Sequence, residues 1–94
     1  MSEEIKRFDV VFECDAVNPG RMRTDMQVRM LEPDPFECEL ATDEMGFHGG
    51  DGSAPTPLML FSGGLAACLM TQLRAFSKRL KVDVGEIKLA TRLH

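Results

Sequence analysis

Ala54-Pro-Thr-Pro-Leu-Met-Leu-Phe-Ser-Gly-Gly-Leu-Ala-Ala-Cys68, continuing as Leu69-Met-Thr-Gln-Leu-Arg-Ala-Phe-Ser-Lys-Arg-Leu80, is the stretch on which the fold turns. Its pattern predicts one long helix over residues 57–80. Thr56 stands where an N-cap is needed, and Pro57 fits the first helical position, where a missing N–H costs nothing. From Leu58 to Leu73 the helix is apolar on almost every side, which demands cover on several faces rather than one. Polar residues gather in the last two turns, where Arg74, Lys78 and Arg79 suit the negative end of the helix dipole.

Two features of this helix call for an explanation. Gly63 and Gly64 each cost about 1 kcal/mol relative to alanine in a helix interior. Such a pair predicts the close approach of another backbone, one turn before Cys68. Cys68 itself follows Ala66 and Ala67, and small neighbours leave room around a sulfur. That room serves close packing or forms the floor of a pocket. On the same helical face, Thr71 and Gln72 offer hydrogen-bond donors one turn further on.

The chain before the helix reads as strands. Residues 8–17 alternate with period two, placing Phe8, Val10, Phe12, Cys14 and Ala16 on one face and Asp9, Glu13 and Asp15 on the other. Asn18-Pro19-Gly20 is a turn signal. Residues 22–30 alternate again, with Met22, Thr24, Met26, Val28 and Met30 inward, completing a hairpin. Pro33 and Pro35 break the chain. A third strand follows over 36–42, with Phe36, Cys38 and Leu40 inward, so that Cys14 and Cys38 both read as core residues. Phe-Glu-Cys recurs at 12–14 and 36–38 through similar strand patterning rather than a repeat. Residues 43–56 form a polar, Gly-rich loop, of a length that is usually mobile or functional. After the helix, Ile87, Leu89, Thr91 and Leu93 alternate with Glu86, Lys88, Ala90 and Arg92, which predicts a fourth strand over 86–93.

Pro55-Thr-Pro-Leu-x-Leu60 with Cys68 eight positions on, preceded by Asp43-Glu44, four residues and Gly49-Gly50, resembles the OsmC/Ohr family of thiol-dependent peroxidases. The likeness is carried by residues 36–94, and by the N-terminal hairpin in pattern alone. It implies an α+β, OsmC-like fold over residues 1–94, in which a small antiparallel sheet packs on a long central helix within an intertwined dimer. It further implies that Cys68 is the peroxidatic nucleophile and that Arg21, straight after the hairpin turn, is its cationic partner; Arg23 is the neighbouring candidate. Where the family carries a glutamate just after the helix-starting proline, this chain has Leu58 and Met59, and Asp43 or Glu44 stand in the preceding loop as substitutes. The family's resolving cysteine, a second helix and a further strand would lie beyond residue 94, in a C-terminal third this sequence lacks.

Composition narrows the alternatives. The 94 residues are 44% hydrophobic and 28% charged, with net charge −4 and a pI near 5.1. That is the make-up of one small soluble domain, without the basic footprint that nucleic acid or an anionic membrane requires. No run approaches the 18–20 apolar residues of a membrane span, and the charged start lacks a signal peptide's apolar core, so a cytoplasmic location is expected. Three cysteines without a Cys-x-x-Cys, and two histidines, argue against structural zinc and a disulfide scaffold. No metal or cofactor is expected. His48 reads as an exposed loop residue. Gly49-Gly50-Asp51-Gly52 lacks the Lys-Ser/Thr pair of a phosphate loop.

A helix apolar all round cannot be covered by four strands of one short chain. That predicts an obligate homodimer, with Gly63, Gly64 and Cys68 near its interface. The leading reading is therefore a thiol-dependent peroxidase taking small organic hydroperoxides and a dithiol reductant. A non-catalytic OsmC-like dimer, binding ligands or serving in stress through the same apolar pocket, is the alternative. A plain structural dimer is the third.

Overall fold

The computed structural model describes residues 9–94, which form a mixed α+β chain. Strands β1 (Val11–Val17), β2 (Thr24–Glu32) and β3 (Phe36–Thr42) precede a 3-10 turn at Gly46–His48 and one helix, α1 (Pro57–Arg79). The chain divides into two compact units, Met1–Pro55 and Thr56–His94.

The first unit is an antiparallel meander in the order β1-β2-β3. Register follows the alternation of the sequence. Phe12 lies opposite Met30, Cys14 opposite Val28 and Ala16 opposite Met26. On the other side of β2, Met30 meets Phe36, Val28 meets Cys38 and Met26 meets Leu40. One face is thereby apolar, because a one-residue slip would send every one of these side chains to the opposite side. The polar face is locked by Arg29 in the central strand, whose guanidinium reaches Asp15 at 2.8 Å, Glu13 at 3.1 Å and Glu37 at 3.5 Å. The Asp15 carboxylate, with help from Glu13 and Glu37, raises the Arg29 pKa above its ordinary value.

Strand limits differ from the sequence reading in small ways with local causes. Phe8 lies outside the described residues, and β1 is first paired from Val11, where the register shifts. Met22 and Arg23 are drawn into the hairpin turn, where the Asn18 carboxamide accepts from Gly20 N–H at 2.9 Å and donates to the Arg21 carbonyl at 2.7 Å. Strand β2 runs on to Glu32 and stops at Pro33, which has no N–H for a ladder; the Glu32–Pro33 peptide is cis.

Burial is where the expectation fails. The apolar face is laid out as read, but Phe12 is 66% and Phe36 71% exposed, and no hydrophobic residue among those described is buried. Cys14 is exposed and Cys38 half-buried, so neither is a core residue in this chain.

In the second unit, α1 begins and ends on explicit caps. Thr56 Oγ1 accepts from Met59 N–H at 3.2 Å, and Pro57 occupies the first turn. At the other end Lys81 adopts a left-handed φ of 57°. Its N–H donates to the Lys78 carbonyl at 3.2 Å, and Val82 N–H to the Ser77 carbonyl at 2.9 Å, the paired bonds of a Schellman motif.

The predicted strand over 86–93 does not form. Arg74 turns away from the dipole role read for it and donates to the carbonyls of Val84 and Gly85, both at 2.6 Å. Further along, the hydroxyls of Ser62 and Thr91 are 2.7 Å apart. The tail is thus tied back along α1, antiparallel to it, with Ile87, Leu89 and Thr91 half-buried. The period of two is real, but this unit offers no second strand to complete a ladder.

Gly63 and Gly64 do not serve a crossing in this chain either, since a Cβ at either position would meet open space. The reading that nothing here approaches a membrane span is also corrected. By length and composition α1 is apolar enough to cross a bilayer, with a mean hydropathy of 1.3 that tolerates its interspersed Gly, Ser and Thr. One such helix is weak ground for a membrane role, because the core helix of a soluble assembly passes the same test.

Candidate functional site: an exposed helix cysteine and a latched loop

Cys68 sits about three turns into α1, beyond the reach of the N-terminal dipole, and its side chain is exposed. No acidic residue lies in the first turn of the helix, where Leu58 and Met59 are both exposed. Thr71 does not serve the thiol. Its hydroxyl donates to the Ala67 carbonyl one turn back at 3.0 Å, as Ser77 donates to the Leu73 carbonyl at 2.8 Å. A hydroxyl that closes on its own helix in this way has spent its only hydrogen. Gln72 makes no side-chain hydrogen bond among the described residues.

The other predicted site residue, Arg21, belongs to the first unit. Its Nη1 pairs with Asp51 Oδ1 at 3.1 Å. Neither substitute carboxylate read from the sequence takes that place. Asp43 is turned inward at the end of β3, and Glu44 lies 3.8 Å from His48 Nδ1. His48 is exposed, as read.

Asp43 organises the whole Gly-rich loop. At 1% exposure it is the one fully buried side chain among the described residues. Its Oδ2 accepts from the Ser53 hydroxyl at 2.6 Å and the Ser53 N–H at 3.0 Å, while Oδ1 accepts from the Glu44 N–H at 2.8 Å. These donors favour the carboxylate, and they lower its pKa to about 2, the Ser53 hydroxyl most of all. The peptide groups complete the latch: Asp43 N–H donates to Pro55 O at 3.0 Å and Gly52 N–H to Glu44 O at 3.0 Å. Gly50 is required here because a Cβ would collide with the Glu44 backbone, and Gly52 holds a φ of +63°.

Arg23 fastens the same loop from the hairpin. Its Nη1 donates to Ser53 Oγ at 2.9 Å and Ser53 O at 3.3 Å, and the rest of the guanidinium pairs with Asp25 at 3.2 Å. The two neighbouring arginines are therefore different. Arg23 is consumed in structure, whereas Arg21 meets a single carboxylate among the described residues.

Sequence reasoning missed Asp51 and Ser53. The usable signal was slight: an acid held between Gly50 and Gly52, with a serine two residues on, in a loop that also begins with an acid.

On the apolar sheet face, Phe12, Cys14, Val28, Met30, Phe36 and Cys38 line an open groove of about 670 Å³. Cys14 and Cys38 occupy one row with Val28 between them. Two strand spacings, about 9.6 Å, separate such residues, more than a disulfide spans. Among the described residues no group of three or more His, Cys, Asp or Glu is placed to hold a metal ion.

Fold and site together define a mixed α+β chain with an exposed helix cysteine in one unit and a latched arginine–carboxylate pair in the other. Comparison of this chain with protein-family models, with curated proteins and with solved structures finds no match.

Proposed function

We propose that this protein is a thiol-dependent peroxidase of the OsmC/Ohr type, reducing small organic hydroperoxides through Cys68 with Arg21 as its electrostatic partner. The observation that carries the reading is an accessible thiol on a Pro-initiated apolar helix that follows a three-stranded meander and its Gly-rich loop. As thiolate, Cys68 attacks the distal oxygen of ROOH. The O–O bond breaks, sulfur is oxidised to the sulfenic acid and RO⁻ leaves, taking up a proton as ROH. One thiol of an external dithiol then condenses with the sulfenic acid, releasing water and forming a mixed disulfide. The second thiol displaces Cys68, leaving the dithiol as its cyclic disulfide. Neither Cys14 nor Cys38 is assigned a resolving role.

The acting species is a cytoplasmic homodimer in this reading. Its support is the uncovered apolar surface, since phenylalanines and leucines on both units are exposed in the single chain. The test is consumption of cumene hydroperoxide with dithiothreitol as reductant. Activity that survives Cys14→Ser and Cys38→Ser and is abolished by Cys68→Ser is expected. Activity unchanged in Cys68→Ser would refute the assignment.

A second reading, a dimeric module that binds an apolar ligand without chemistry, is favoured by Leu58 and Met59 at the family's glutamate positions and by the groove on the sheet. Binding of an apolar fluorescent probe with no peroxide consumption by the wild-type protein would select it.

A further inference from the structure

We infer that Asp51 is the positioning residue of Arg21, fixed by the Asp43 latch. The inference rests on the proposed function for what Arg21 does, and on the first unit alone for how Arg21 is held. Both partners of the 3.1 Å pair are exposed, the Arg21 side chain at 68% and Asp51 at 57%. An ordinary surface pair of that kind is worth little, because ordering two side chains cancels most of the attraction. Here the backbone on each side is fixed before the pair forms. The Arg21 carbonyl is tied to the Asn18 carboxamide at 2.7 Å. Asp51 lies between Gly50, which no other residue can replace without moving the Glu44 backbone, and Gly52 at positive φ. Two residues on, Ser53 is clamped between buried Asp43 and Arg23. The carboxylate is thereby presented to the hairpin turn by a loop that is already closed. Leu58 and Met59 carry no such group, and neither Asp43 nor Glu44 pairs with Arg21.

The test uses Asp51→Asn, Asp51→Glu and Arg21→Ala, with two readouts. The first is the NMR order of the Arg21 Nε–H vector, which needs no activity. It is expected to fall in Asp51→Asn and to be kept in Asp51→Glu; an order unchanged in Asp51→Asn overturns the inference. The second is the rate of Cys68 sulfenic-acid formation with cumene hydroperoxide across pH. Asp51→Asn is expected to slow it toward the Arg21→Ala level, by up to about a hundredfold for a mispositioned group. Asp51→Glu should rescue it, and combining Asp51→Asn with Arg21→Ala should cost nothing more. A wild-type rate in Asp51→Asn beside a slow Arg21→Ala overturns the inference and leaves the peroxidase standing. A wild-type rate in Arg21→Ala overturns this inference together with the role proposed for Arg21.

Discussion

At the scale of single residues, Asp43 and the two hairpin arginines show how much depends on partners that spacing does not reveal. Asp43 has a folded pKa lowered to about 2 against roughly 3.9 for an unperturbed aspartate. A depressed carboxylate pKa adds stability that is complete above the unfolded value and is lost as pH falls through the folded one. Unfolding followed from pH 5 to pH 2 should therefore show wild type losing stability between about 4 and 2. Asp43→Asn, several degrees lower in Tm at pH 7, should lose less over the same interval. Parallel curves for the two proteins would show that the latch does not favour the ionised form of Asp43 over its unfolded state. From sequence, Asp43 was one of two loop acids with a conceivable part at Arg21. Only its burial reveals a structural anchor, and only the reach of Ser53 to it separates Arg23, which holds the loop, from Arg21.

At the scale of elements, local chemistry was legible and partnering was not. Thr56 and Pro57 marked the start of α1 to the residue, and the alternation in β2 and β3 settled which side chains share a face. Both signals act within a few residues of themselves. The tail over 86–93 carried an equally clean period of two, yet a strand exists only where another strand supplies its hydrogen bonds. In this unit Arg74 and Ser62 engage the tail instead. The helix end was read to within one residue, but its cap was hidden, because Lys81 occupies a left-handed position where glycine is the usual signal. Lys81→Gly should relieve that strain and raise stability by about 1 kcal/mol, seen as a higher Tm. An unchanged or lower Tm would mean that the Schellman turn is not kept in solution.

At the scale of the whole molecule, the apolar surface is the dominant fact. A chain that is 44% hydrophobic buries no hydrophobic residue among those described, and the two residues it does bury there, Thr42 and Asp43, are polar. Folding stability comes chiefly from apolar burial, so the proposed homodimer supplies what one copy lacks. Gly63 and Gly64 discriminate. In the single chain a Cβ at either meets open space, so alanine should add about 1 kcal/mol each through helix propensity. In a dimer whose helices approach there, Gly63→Ala and Gly64→Ala should instead weaken self-association, by about tenfold for a loss of 1.4 kcal/mol. Sedimentation of the two variants against wild type decides between these outcomes.

The central claim is the reactivity of Cys68, and the rate of its alkylation and oxidation, read by mass spectrometry beside those of Cys14 and Cys38, tests it most directly. Cys68 outpacing both other thiols toward iodoacetamide and toward limiting cumene hydroperoxide is the expected result. A Cys68 that reacts no faster than Cys14 or Cys38 with either reagent would contradict the peroxidase and leave a binding dimer in its place.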